Sequence, residues 1–235
     1  MGNLNAPLYR RDYKGESITF VQDGKMQSLY VTPRDLPHDI PVNSAIVLGN
    51  GISRLDPNIK MMLKQNNNRV AEGYKLTYAC NAAWRDTPAD YYIIKDNIFF
   101  SEIPLDNYNK IFTPNNHWYA YPDTNLLPYI YHFDSGSAAA YLSAFDGAEK
   151  IFLFGFDGCD GEFYDNVYEN SLGYEKDIGI NQYDYSYLYN VVKVYNNIQF
   201  YRVRNQHTAD INPSFKDLPN YSEISIREAI LLGDF

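Results

Sequence analysis

The chain has 235 residues, a formal net charge of -9 and no cluster of Lys or Arg, so it lacks the basic surface that a duplex nucleic acid demands. No apolar run approaches bilayer length, and the first fifteen residues lack the apolar stretch of a signal peptide. The two cysteines, Cys80 and Cys159, form neither a CxxC pair nor a disulfide framework, so both read as reduced thiols of a cytoplasmic protein with no zinc site.

In chain order, residues 17–31 read as two strand-like runs around Asp23-Gly24, a hairpin signal. With the proline-punctuated stretch 33–41 they make an N-terminal extension, residues 1–41, ahead of one domain, 42–235. The hairpin is suited to adding a strand to a partner or to a second copy of the chain, so a homo-oligomer is one expected assembly. An apolar strand at 45–48 then breaks into Gly49-Asn50-Gly51-Ile52-Ser53, where two glycines let the backbone turn and approach a ligand closely. Asp56 is placed to cap, and Pro57 to open, a helix over 57–66.

Strands follow at about 75–80, 91–94 and 111–113. Ser135-Gly136-Ser137 opens a small-residue helix capped by Ser135 or Asp134, and 150–156 is the strongest buried strand, ending at Asp157-Gly158. A polar, aromatic stretch, 159–182, has the length of a lid. A helix at about 184–196, a strand at 199–203 and a last helix at about 223–232 complete the pattern. Alternation of this kind means an α/β sheet flanked by helices, with ligands bound beyond the carboxyl ends of its strands. Gly49, Asn50, Gly51, Ser53, Asn81, Asp96, Ser135, Gly136, Asp157 and Gly158 are therefore expected around one crevice.

Arg54 stands where the dinucleotide fingerprint needs its third glycine, and Asn81 follows the second strand where a ribose-binding acid belongs, which disfavours hydride transfer. No lysine follows a GxxxxG, so P-loop chemistry has no anchor. A mononucleotide or nucleotide-sugar site remains. The 23 tyrosines and 13 phenylalanines supply rings for stacking or protein contacts, or reflect a viral (phage) or AT-rich source, in which case the compartment is the host cytoplasm.

The segments AIVLGNGISRL, YACNAAWRDTPADYYIIKD and SGSAAAYLSAFDGAEKIFLFGFDG, in that order, resemble the Rossmann-like bacterial sialyltransferases that use CMP-activated sialic acid, and the wider 6-hydroxymethylpterin diphosphokinase-like family. The resemblance spans roughly 43–203. It implies a mostly parallel Rossmann-like sheet and a glycosyltransferase taking a CMP-sugar donor, with an acceptor that the sequence does not name. Asn50 and Gly51 would lie against the donor phosphate and sugar, Asn81 would reach the nucleotide, Ser135 and Gly136 would supply donors near it, and Gly155–Asp157 would border base and ribose. Tyr164 and Tyr168 stand where the sialyltransferases carry two phosphate-binding tyrosines, an arrangement that stabilises the departing CMP without a metal.

Those enzymes also use a histidine just before the helix after the lid. The matching stretch, IGINQYDYSYLY, has none, and Asp184 takes the base role if sugar transfer occurs. A carboxylate of ordinary pKa is a weaker base than imidazole near pH 7. The diphosphokinase side of the resemblance implies Mg²⁺ instead, and the acidic cluster Asp157, Asp160, Glu162 and Asp165 is the matching feature. A third reading is a non-catalytic binding or structural protein that kept the fold. Plain structural roles compete at each position: a tight turn for Gly49–Gly51, loop capping for Asn81, helix capping for Ser135, packing for Tyr164 and Tyr168, and core burial for His132.

Overall fold

The computed structural model describes residues 16–22, 25–31, 43–68, 74–118, 120–121, 123–127, 133–158, 166–174, 185–206, 208–210 and 213–235. The Asp23-Gly24 signal is matched by an antiparallel pair, β1 (Glu16–Gln22) and β2 (Lys25–Val31), in a two-stranded sheet of its own. The rest follows as β3 (Ser44–Leu48), α1 (Pro57–Asn67), β4 (Leu76–Cys80), β5 (Tyr91–Ile93), β6 (Ile111–Thr113), α2 (Asn115–Trp118), β7 (Asn125–Leu126), α3 (Ser135–Phe145), β8 (Lys150–Phe154), α4 (Ser186–Val194), β9 (Gln199–Arg204), β10 (Tyr221–Ser225) and α5 (Ile226–Gly233).

The eight strands from β3 onward form one parallel sheet in the order β10-β9-β8-β3-β4-β5-β6-β7. This is the Rossmann-like α/β fold that the sequence implies. Alternation along β3 shows how it is held together: Ala45 and Val47 pack with α3 and α4, while Ile46 and Leu48 pack with Ile59 and Met62 of α1 and Ala229 of α5. Every one of these side chains is buried, so the central strand reads as a continuous apolar run, as a two-faced parallel sheet requires.

Helix starts follow local chemistry. Asp56 accepts the Asn58 amide with Pro57 at the first helical position, Asp134 rather than Ser135 caps α3 through the Ser137 amide, and Ser225 with Glu228 forms a capping box on α5. The helix expected over 223–232 is corrected here. Residues 221–225 form the edge strand β10, and the helix begins only after the capping box.

From β3 the chain runs outward through β4, β5, β6 and β7, then returns to the other side of β3 as β8. That reversal puts the topological switch point, where α/β sheets bind ligands, between the carboxyl ends of β3 and β8.

Candidate functional site

The main chain itself crosses the switch point. The Gly49 amide donates to the Phe154 carbonyl at 2.8 Å and the Gly51 amide to the Gly155 carbonyl at 2.9 Å, extending the β3–β8 pairing past both strand ends. A Cβ on Gly49 would lie 2.4 Å from the Gly155 carbonyl oxygen, and one on Gly51 would lie 2.5 Å from the Asp157 carboxyl. Gly155 has φ +72°, a conformation natural to glycine. Sequence alone assigns this glycine freedom to a ligand's approach. The structure uses it for the approach of two loops to each other.

Asp157, 3% exposed, accepts the Ser53 amide on Oδ2 at 2.7 Å, so a carboxylate of the chain takes a main-chain donor that an anionic ligand would otherwise use. Its loop is anchored from below by Arg202, which is fully buried. The guanidinium donates to the carbonyls of Phe156 (2.7 Å), Asp157 (3.0 Å) and Ala209 (2.7 Å) and pairs with Glu223 at 2.6 Å. An arginine set between the apolar residues Phe200, Tyr201 and Val203 of β9 was the sequence signal for this anchor, and sequence reasoning missed it.

Towards β4 and β5 the edge becomes polar. Cys80 donates to the Leu48 carbonyl at 3.3 Å, and its sulfur lies 3.5 Å from Asn50 Oδ1. Burial pushes the thiol up to about 12. Asn81 takes a left-handed backbone at φ 41°, a costly conformation for a residue with a Cβ and one that concentrates at functional sites. Its amide group donates to Asp96 Oδ2 at 2.8 Å and accepts the Lys95 amide at 3.2 Å. The Lys95 ammonium donates to the Phe133 carbonyl, just ahead of the α3 cap. Burial lowers the Lys95 pKa, opposed by Asp134 and Asp96. Gly136 is overlain by the Phe156 ring, 3.1 Å from the position of a Cβ, which joins α3 to the loop after β8. Ser135 is half-buried beside it.

Gly49, Asn50, Gly51, Ser53, Asn81, Asp96, Ser135, Gly136, Gly155 and Asp157 therefore all lie along the carboxyl edge of the sheet, on segments that touch one another. Tyr164 and Asp184 fall outside the described residues, as do Asp160, Glu162 and Asp165 of the acidic cluster, His132 and most of the 159–182 stretch. Among the described residues no group of His, Cys, Asp and Glu side chains is placed to hold a metal, and no helix is long and apolar enough to cross a membrane.

Residues 166–174 are the described part of the expected lid, and they lie on the glycine turn. Gly51 pairs with Asn166, the Val167 amide donates to the Asn50 carbonyl at 2.8 Å, and Asn50 Nδ2 donates to the Tyr174 hydroxyl at 2.5 Å. Tyr168 is buried. Its hydroxyl accepts from Arg54 and donates to Asp86 at 2.7 Å, while Arg54 pairs with Asp86 directly at 2.9 Å. Burial, reinforced by Asp86, holds this phenol well above its ordinary pKa. Arg85 fastens the outer end through Ser171 (2.8 Å) and the Leu172 carbonyl (2.9 Å), and pairs with Glu102 at 2.5 Å. Tyr174 and Lys95, two residues whose side chains bond across this edge, lie outside the sequence expectation, because neither belongs to a glycine or acidic motif.

No family model matches the sequence, and no curated protein matches it. Among solved structures the chain is similar to the monofunctional alpha-2,3-sialyltransferase Cst-I from Campylobacter jejuni, at 16% sequence identity and a TM-score of 0.49, over 79% of this chain and 84% of that one.

Proposed function

We propose that the chain is a transferase that takes a nucleotide-activated sugar, with a CMP-sugar as the donor class, and binds it along the carboxyl edge of β3, β4 and β5. The observation that carries this reading is the polar lining gathered there beside the switch point: Asn50, on which residues 166–174 lie, with the strained Asn81 and Lys95. Carboxamides and one ammonium suit a ligand that is part sugar and part phosphate, because they offer both donors and acceptors.

In this reading the departing CMP draws on hydroxyl donors and needs no metal. Tyr164 and Tyr168 remain the proposed phosphate ligands and Asp184 the proposed base. Tyr168 must exchange its bond to Asp86 to act in this way, whereas Tyr174 already sits on the glycine turn. Asp157 and the Gly49–Ser53 turn serve as the wall of the crevice.

One observation favours a second reading, a binding protein without turnover: the amides of Gly49, Gly51 and Ser53 are all engaged inside the chain. Thermal-shift titration with CMP, CDP, UDP, GDP, ADP and ATP, each with and without magnesium, tests both, since a ligand of the native state raises its apparent stability. Selective, magnesium-independent stabilisation by CMP, followed by release of CMP from a CMP-sugar, supports the transferase. Binding of CMP with no release supports the second reading, AMP formed from ATP with magnesium supports diphosphokinase-type chemistry, and indifference to every nucleotide overturns the proposal.

A further inference from the structure

We infer that Lys95 is the cation that contacts the phosphate of the bound donor; this assignment rests on the nucleotide-sugar reading above and adds to it the charge that stands in for a metal. The arginines Arg54, Arg85 and Arg202 at this edge are occupied: Arg54 is paired with Asp86, Arg85 with Glu102, and Arg202 with Glu223. Among the described residues Lys95 forms no ion pair, and its ammonium donates only to a main-chain carbonyl, that of Phe133. An ammonium carries three N–H donors, so this contact leaves donors for an incoming anion.

The two nearest carboxylates are turned elsewhere. Asp134 is bound to the Ser137 amide at 2.7 Å and to the Ser137 hydroxyl, and Asp96 accepts from Asn81 at 2.8 Å. Asn81 grips both sides of the lysine, holding the Lys95 amide through Oδ1 and the next side chain, Asp96, through Nδ2. The left-handed Asn81 thereby fixes the main chain that carries Lys95. In a chain of net charge -9, an anion is drawn most to a cation that forms no ion pair. The partly buried setting strengthens a charge-assisted hydrogen bond there relative to open water.

The test compares wild type, Lys95→Met and Lys95→Arg in titrations with CMP, with cytidine as the neutral control, and with inorganic pyrophosphate. The melting temperature of each unliganded variant establishes that it is folded. The expected result is that CMP binds wild type more tightly than cytidine does, that Lys95→Met weakens CMP at least about tenfold while leaving cytidine unchanged, and that Lys95→Arg retains most of the preference. Pyrophosphate should follow CMP. A folded Lys95→Met that binds CMP as wild type does overturns the assignment and leaves the transferase reading standing. Pyrophosphate binding that depends on Lys95, with no nucleotide bound, upholds the anion contact and removes the nucleotide reading. A wild type that binds none of the three probes overturns both.

Discussion

The Ser53 amide and the Asp157 carboxylate meet at 2.7 Å across the switch point of the sheet, joining the turn after β3 to the turn after β8 by a charge-assisted hydrogen bond. Such bonds between well-buried groups contribute about 1.5–3 kcal/mol. Asp157→Ala is expected to lower stability by about that amount, and Asp157→Asn, which keeps an acceptor, by less. Chemical denaturation of the three proteins decides it: an alanine variant as stable as wild type means that the pair does not hold the loops together.

The glycines of the same junction make a graded prediction. A methyl group on Gly49 meets the Gly155 carbonyl oxygen at 2.4 Å, a backbone atom that cannot rotate away, so Gly49→Ala should cost at least about 2–3 kcal/mol, in the range of severe overpacking. Gly158 also has positive φ, but its added Cβ would find only ordinary contacts at 3.5 Å. Gly158→Ala should therefore cost only the left-handed backbone penalty, about 1–2 kcal/mol. Equal losses in both variants, measured by thermal melts, would show that loop-to-loop contact is not what requires glycine at position 49.

How far these relationships were legible in the sequence depends on the range of the interaction. β3, β4, β6 and β8, α1 with its Asp56 cap, and the Asp23-Gly24 hairpin could be read directly because apolar runs and capping residues are local signals. β10 was read into the following helix, although Ile224 and Ile226 alternate and Ser225 with Glu228 announces the helix start. The two-residue β7 carries too little pattern to be seen. Within the site, glycine motifs located the edge, while Lys95, Tyr174 and Arg202 act through partners 38, 124 and 45 positions away. No window of neighbouring residues contains that information.

Tyr168→Phe separates packing from phosphate contact. The substitution keeps the ring against Arg54 and Arg85 and the direct Arg54–Asp86 pair, but removes the hydroxyl between them. A stability loss of about 1–2 kcal/mol is expected from the lost buried hydrogen bonds. If the hydroxyl also binds the leaving phosphate, turnover of a CMP-sugar falls well beyond what the loss of folded protein explains. Unchanged turnover per folded molecule assigns Tyr168 to packing alone.

The Arg85–Glu102 pair makes the attachment of residues 166–174 sensitive to acid. Hydrogen bonds from Arg85 hold the Glu102 carboxyl below its ordinary value. A depressed folded pKa contributes stability that is present above the unfolded value, about 4.3, and lost as pH falls through the folded one. Melting temperatures between pH 3 and 7 should fall less steeply for Glu102→Gln than for wild type below about pH 4.3. Both side chains are partly exposed, so added salt should shrink the difference. Parallel curves at low salt would remove this pair from the acid response.

Cys80 gives the opposite sign at alkaline pH. Burial raises its thiol from 9.0 to about 12, so the native state favours the protonated form. That contribution is complete below the unfolded value and is lost as pH climbs from 9.0 towards about 12. Because the thiolate is the nucleophile, native Cys80 should resist alkylation at pH 8 and react only on unfolding. A Cys159→Ser protein isolates the signal: iodoacetamide labelling should track denaturant concentration through the unfolding transition. Adding Cys80→Ala should flatten the alkaline loss of stability, and rapid labelling of the folded Cys159→Ser protein would place the sulfur at the surface instead of under Asn50.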